Sequence, residues 1–502
     1  MNILFAASEV APFAKTGGLA DVAGSLPSAL ASLGHDVRVV LPRYRQVDPA
    51  QFNLKHRATF HLPISTWYER CDILEGSTAD GITVYFVNKD SYYDRPGIYG
   101  TSRGDYPDNA ERFAFFSRSL LELCRVMDFS PDIIHCNDWQ TGLVPLYLKT
   151  QYAAQAPLDR TKTVFTVHNL GYQGRFPPET MHRLGLGPEA LSPEGMEFGG
   201  AFSFLTAGLA YADVITTVSK RYSEEIQRSE YACGLEGILA QRAGSLFGIL
   251  NGIDSRAWDP ANDGAISRHY SAVEPAGKEA CKDALQKLAG FSADSGPLIG
   301  MVTRLSEQKG LELLVDAVPA IMKLGVRLII LGTGEKKYHR ILTDLHSRYP
   351  EQIQVMFRFD ESTARAIYAG SDLFLMPSRY EPCGLSQIIA LRYGAVPIVR
   401  KTGGLADTVI DYDRQAGKGT GFVFDEYSSG ALVVAVKRAL AIKSDQSRWK
   451  SLLLQCMTKD FSWEHSAREY DRLYHDVVTP SQNDRREASM AGKDKGGERK
   501  AS

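Results

Sequence analysis

The chain reads as an α/β protein of two doubly wound, Rossmann-like domains, and three observations predict it. Short apolar runs alternate with helix-period patterns from one end to the other, as βαβ units in parallel sheets require. A heptapeptide recurs letter for letter, Lys15-Thr16-Gly17-Gly18-Leu19-Ala20-Asp21 and Lys401-Thr402-Gly403-Gly404-Leu405-Ala406-Asp407, each copy after an apolar run and before a helical pattern. At 502 residues the chain is also too long for one typical core. Such domains place ligands at the C-terminal ends of their strands, so a deep cleft between the two is expected to hold the ligand.

In chain order, Asn2–Ala7, Asp36–Leu41, Asp132–His135, Thr163–Val167 and Asp213–Val218 read as strands of the first domain. Leu19, Val22, Leu26, Leu30 and Leu33 share one helical face, with Pro27 expected to kink or shorten that helix. Phe113, Phe116, Leu120, Leu123 and Cys124 mark a second face. The turn residues Asn251-Gly252-Ile253-Asp254 place the joint there, giving domains of 1–250 and 251–477. Leu298–Val302, Arg327–Leu331, Ile353–Phe357 and Asp372–Met376 follow as strands, and Leu311, Leu314, Val315, Val318, Ile321 and Met322 line a helix. The last helix is expected to pack back on the N-terminal domain. From 478 to 502 aromatic residues vanish and a disordered tail is expected.

Composition narrows the function. A net charge of −2 with no basic block in the body disfavours nucleic acid. Seven scattered cysteines without metal-ligand spacing fit a reducing compartment. Neither a secretory signal nor an apolar run of the ~18 residues that span a bilayer is visible. The expectation is a cytoplasmic enzyme with no membrane partner.

The candidate chemistry sits at strand ends. A Gly-Gly pair entering a helix offers amides at the positive end of its dipole, suited to phosphate, and the preceding lysine adds a point charge. Lys15, Gly17 and Gly18 are therefore anion candidates, as are Arg304 and Lys309 in the run Thr303–Gly310. His135-Cys136-Asn137-Asp138-Trp139 and His168-Asn169 end strands on the same sheet edge; for Asp138 and His168 a catalytic role competes with a structural one. Glu381 stands before the helix-start amides of Cys383, Gly384 and Leu385, a carboxylate beside an amide nest. A simple helix cap is the other reading of Glu381. A dinucleotide site is disfavoured, because Gly332-Thr333-Gly334 meets Lys337 where the third glycine belongs.

Taken together, these motifs resemble the bacterial glycogen synthases and plant starch synthases. The match comprises both Lys-Thr-Gly-Gly-Leu loops, His135–Trp139, Val167-His168-Asn169, Asn251–Asp254, Arg304-Leu305 with Gln308-Lys309-Gly310, and Pro377–Leu385; it runs in order from residue 1 to about 477. The resemblance implies the GT-B glycosyltransferase fold, with no metal and no nicotinamide cofactor. It implies transfer of glucose from ADP-glucose to the non-reducing 4-OH of an α-1,4-glucan such as glycogen or a maltooligosaccharide, with retention of configuration. By motif, Lys15 and the amides of Gly17 and Gly18 would contact the sugar nucleotide, and Arg304 and Lys309 would hold the diphosphate. Glu381 would orient the glucose or support its cationic transition state, with the Gly384 and Leu385 amides on glucose and distal phosphate. His168 would lie over the glucose, with Asp138 and Asn251 close by, and Thr402 to Gly404 would line the other side of the nucleotide pocket. Many retaining GT-B enzymes carry a second glutamate eight residues after the first, where this chain has Ile389. That weakens any two-carboxylate double displacement. Two further readings stay open: a carbohydrate-binding protein without turnover, and an enzyme using another donor such as UDP-glucose.

Overall fold

A computed structural model describes residues 1–64, 67–187, 197–198, 200–292, 296–358 and 360–479. All but the first two residues of the expected tail lie outside them. The chain divides into two compact units. The first holds Met1–Thr216, Leu235–Phe247 and the residues from Ser466 onward; the second holds Thr217–Gly234 and Gly248–His465.

The first unit is built on a nine-stranded sheet. Its strands are β1 (Asn2–Ala6), β2 (Asp36–Pro42), β3 (Lys55–Ile64), β4 (Trp67–Ser77), β5 (Thr83–Asn88), β6 (Ile133–Asn137), β7 (Lys162–Val167), β8 (Val214–Thr217) and β9 (Leu246–Gly248), in the order β9-β8-β7-β6-β1-β2-β5-β4-β3. Parallel register runs Asn2↔Asp36 to Ala6↔Val40 on one side of β1 and Ile3↔Ile133 to Ala6↔Cys136 on the other. The C-terminal ends of β1, β6 and β7 therefore share one edge, and with them Glu9, Asp138 and His168. The pairs β5–β4 and β4–β3 are antiparallel. Sequence reading missed this hairpin because its strands carry charges, Lys55 and Arg57 on β3 and Glu69 and Arg70 on β4, instead of apolar runs.

Helix α1 (Gly18–Ser32) buries Leu19, Val22, Leu26 and Leu30 and continues through Pro27 for a full 15 residues. The proline does not shorten it; its ring is buried on the apolar face. Helix α2 (Asn109–Val126) buries Phe113, Phe116, Leu120, Leu123 and Cys124. Near the chain's end, Tyr470 and Tyr474 pack their rings on His135 of β6.

The second unit holds six parallel strands, β10 (Leu298–Val302), β11 (Arg327–Leu331), β12 (Ile353–Met356), β13 (Leu373–Met376), β14 (Val396–Arg400) and β15 (Phe422–Phe424), in the order β12-β11-β10-β13-β14-β15. On β11, Leu328 and Ile330 join one core cluster while Ile329 and Leu331 join the other. Successive side chains point to opposite faces, and helices cover both. Strands buried on two faces read as unbroken apolar runs, which is why these were legible. Each such side chain contributes about 1.5–3 kcal/mol on burial. Parallel pairing Leu373↔Val396 to Met376↔Val399 brings Pro377–Glu381 and Lys401–Gly404 out at one edge. Among the described residues, no helix is long and apolar enough to cross a membrane.

Candidate active site

In the first unit the turn after β1 carries Glu9, which is only 4% exposed. Its carboxylate accepts from the Thr16 N–H, from Thr16 Oγ1 at 2.7 Å, from the Gly17 N–H at 3.2 Å and from the Tyr99 hydroxyl at 2.6 Å. The amide of Gly17, which the sequence offered to a phosphate, thus donates to an internal carboxylate. A helix N-terminus attracts whichever anion is held there, and Glu9 is already held. Gly17 remains open: a Cβ built on it meets nothing within 4 Å. Gly18 begins α1 and is exposed. Lys15 pairs with Asp21 at 2.6 Å, both about a third exposed.

Asp138 follows β6 with φ of 57°, a left-handed conformation uncommon for a non-glycine residue. Its carboxylate reaches the end of β7, where Oδ1 accepts the His168 N–H at 2.7 Å. Burial raises this carboxyl to about 7, with the charge of Glu9 adding to the shift and the His168 and Asn169 amides opposing it. His168 Nε2 donates to Asn137 Oδ1 at 2.9 Å, and burial lowers the imidazole to about 3. His168 is therefore neutral near pH 7 and cannot serve there as a cationic acid.

In the second unit two motifs 72 residues apart meet. The turn Glu307–Lys309 ends at Gly310, whose φ is +68° and whose Cβ would lie 2.0 Å from the Pro377 carbonyl. That close approach docks the turn on the Pro377–Glu381 loop: Arg379 N–H donates to Gln308 O at 2.8 Å, and Gln308 Nε2 to Tyr380 O at 3.2 Å. Lys309 Nζ then reaches both oxygens of Glu381, at 2.8 and 2.6 Å, and Ser378 Oγ donates to Oε2 at 2.9 Å. The side chains of the pair are 14% and 6% exposed. A buried carboxylate without such partners would cost several kcal/mol. Arg304 follows the C-terminal end of β10 and is exposed.

Beyond Glu381 the chain turns through Gly384 at φ +73°, where a Cβ would meet Gln387 Oε1 at 2.3 Å. Leu385 caps the start of helix α5 (Ser386–Arg392). The Cys383 thiol accepts the Asn251 N–H, and burial pushes it up to about 12, so it is not a nucleophile. Asn251 Oδ1 is buried with no partner among the described residues, as an acceptor awaiting a ligand donor would be. Thr402 is fully buried, and its hydroxyl donates to Glu225 at 3.1 Å.

Two family descriptions match the chain: starch synthase catalytic domain over residues 2–241, and glycosyl transferases group 1 over residues 287–451. The glycogen synthase of Syntrophotalea carbinolica is 51% identical over 480 residues, covering 95% of this chain and 99% of that protein. The chain belongs to the starch and glycogen synthase family. Within it, the catalytic domain of starch synthase IV from Arabidopsis thaliana, solved bound to ADP and acarbose, superposes with a TM-score of 0.88 at 34% identity, covering 95% of this chain and 99% of that one. Sucrose-phosphate synthase from Thermosynechococcus elongatus, at 18% identity and a TM-score of 0.59, shares the fold. The GT-B architecture and glycosyltransferase activity follow from these matches.

Sequence reading of this synthase missed Glu9 and Glu225. Glu9 lies on the connection after β1, eight residues before Gly17, and Glu225 lies in a short helix 178 residues before Gly403, so no shared spacing in the sequence points to the pair.

Proposed function

We propose that the chain transfers glucose from ADP-glucose to the non-reducing 4-OH of an α-1,4-glucan with retention of configuration, as a cytoplasmic glycogen synthase. The observation that carries the reading is the buried Lys309–Glu381–Ser378 cluster beside the left-handed turn at Gly384. A lysine held on a carboxylate is a cation already placed and desolvated for a diphosphate. When the donor binds, Lys309 and Arg304 hold the diphosphate, the Gly384 and Leu385 amides contact its glucosyl end, and Asn251 Oδ1 accepts a hydroxyl. Glu381, released from part of its pairing, orients the glucose and opposes the positive charge that develops at C1. Lys15 adds charge at the donor, while neutral His168 and the Asp138 carboxyl contact the glucose.

The bond from C1 to the phosphate oxygen breaks and that from C1 to the acceptor O4 forms on the same face. The acceptor's proton passes to the departing phosphate oxygen. Ile389, where related enzymes carry a second glutamate, is buried and apolar, so this chain supplies no carboxylate there for a covalent intermediate.

Assaying ADP-glucose against UDP-glucose with glycogen tests the donor. Preference for ADP-glucose supports the reading, equal or better use of UDP-glucose overturns the donor assignment, and binding without nucleotide release makes the chain a carbohydrate-binding protein. Glu381→Gln should lower kcat by about 10²-fold with a small change in KM. A helix cap would instead lose ~1 kcal/mol of stability and keep its turnover.

A further inference from the structure

The second Gly-Gly loop has a different setting from the first. Helix α3 (Lys220–Glu225) lies in the second unit, as does helix α6 (Gly403–Thr408); α4 (Leu311–Met322) and α5 are among the helices between them in sequence. Glu225, at the end of α3, is 3% exposed. Its carboxylate accepts from Thr402 Oγ1 at 3.1 Å, from the Gly403 N–H at 3.0 Å and from Arg221 Nε at 3.2 Å. In return, Asp407 on α6 accepts the Arg221 N–H at the start of α3, at 2.9 Å. Each short helix thus caps the other.

The turn so fixed lies against the backbone of the proposed catalytic loop. Gly404 N–H donates to the carbonyls of Glu381 and Pro382, both at 3.1 Å. A Cβ on Gly403 would sit 1.9 Å from the Glu381 carbonyl oxygen, and one on Gly404 2.1 Å from that of Cys383. Ser219, which caps the start of α3, donates its hydroxyl to the Pro382 carbonyl at 2.6 Å. A continuous path therefore runs from Glu225 through Thr402, Gly403 and Gly404 to the backbone of Glu381.

We propose that Glu225 is a positioning residue for glucosyl transfer: its buried carboxylate fixes the second Gly-Gly turn, and that turn sets where Glu381 stands. The inference rests on the catalytic reading of Glu381 given above. Burying a carboxylate is unfavourable unless it is fully bonded, and here its bonds go to the turn that abuts the reacting loop. Displacements of ~1 Å in a reacting group cost on the order of 10²-fold in rate. The carboxylate acts through geometry, so the reach of the side chain matters more than its charge.

Three variants separate these terms. Glu225→Ala removes the acceptor, Glu225→Asp keeps the charge but falls one methylene short, and Glu225→Gln keeps the reach and one acceptor oxygen. With ADP-glucose and glycogen, Ala and Asp should lose about 10- to 10²-fold in kcat with KM for the donor little changed, while Gln retains most of the turnover. Hydrogen exchange of the 381–384 and 402–404 amides should accelerate in Ala and Asp and stay near native in Gln. Leu432→Ala, a buried core truncation in the same unit, should lower the melting temperature without changing kcat or those amides. Native kcat in a folded Asp variant overturns the proposal, as does an equal loss in Leu432→Ala. Should the Ala variant fail to fold, the Asp and Gln pair decides. Native turnover in Glu381→Gln would remove the reading of Glu381, whereas hydrogen exchange still reports whether Glu225 holds the loop.

Discussion

The two Lys-Thr-Gly-Gly-Leu-Ala-Asp segments have the same residues and the same latch, yet different surroundings. In both, a buried glutamate from elsewhere in the same unit accepts from the threonine hydroxyl and the first glycine's amide: Glu9 on Thr16 and Gly17, Glu225 on Thr402 and Gly403. The backbones then part. Gly17 is extended at φ −153° with open space beside it, while Gly403 is left-handed at φ +43° and packed on a carbonyl. Thr16 is exposed and Thr402 is fully buried. Asp21 holds its own Lys15, whereas Asp407 caps a different helix. Identical residues at a helix entrance carry the same demand for an anion; what else they touch decides whether the loop is presented or packed. We read the first as a ligand loop and the second as a brace.

The glycines give the largest expected contrast. Gly403→Ala forces a Cβ against the Glu381 carbonyl at a left-handed φ, so either position or fold must give way. A loss of about 10²-fold or more in kcat is expected, with a melting temperature well below native. Gly17→Ala places its methyl in open space on extended backbone and should melt like the native chain within ~0.5 kcal/mol. Its effect should appear as a raised KM for ADP-glucose. Thermal melts beside steady-state kinetics of both variants make the comparison, and it breaks if the two behave alike.

Much of this was legible beforehand, for a physical reason. Leu298–Val302 and Arg327–Leu331 match their strands residue for residue, because strands buried on both faces leave uninterrupted apolar runs. The antiparallel β3 and β4 were not legible, since their half-exposed residues mix charge with apolar side chains. Motifs at strand ends identified Lys309 and Glu381 separately; their ion pair arises from the Gln308 contacts that dock one loop on the other. Glu9 and Glu225 escaped because an acceptor for a loop amide is chosen by tertiary proximity, and Glu225 lies 178 residues from Gly403.

The lysines sharpen the contrast at intermediate size. Lys15 and Lys401 open the two copies; Lys15 pairs with Asp21 at 2.6 Å and Lys401 with Asp425 at 3.4 Å, both members of the latter pair being exposed. Exposed pairs contribute little, so neither lysine supports the fold. If the first loop alone faces the donor, Lys15→Gln should weaken ADP-glucose binding by about 1.5–3 kcal/mol, the range of a charge-assisted contact. Lys401→Gln should change KM by less than about twofold. Equal losses in the two variants would mean that both loops bind the donor.

The smallest effect lies in the electrostatics around the first latch. Glu9 adds to the rise of the neighbouring Asp138 carboxyl to about 7, a rise that burial dominates. A carboxyl raised in the folded state stabilises the fold while protonated. That contribution is complete below the ordinary carboxylate range near pH 4 and is lost as pH rises through about 7. Denaturant titrations should therefore show the native chain losing stability relative to Asp138→Asn between pH 4 and 7, and the gap should stay constant above about pH 8. Carbon NMR of the Asp138 carboxyl should give a midpoint near 7 in the native chain. In Glu9→Gln the midpoint should fall by less than about one pH unit, because the charge of Glu9 is a smaller cause than burial. Glu225→Gln lies in the other unit's latch and should leave the midpoint where it was. A midpoint near 4 in the native chain would remove the burial account of Asp138, and a shift in Glu225→Gln would show that the two latches do not act locally.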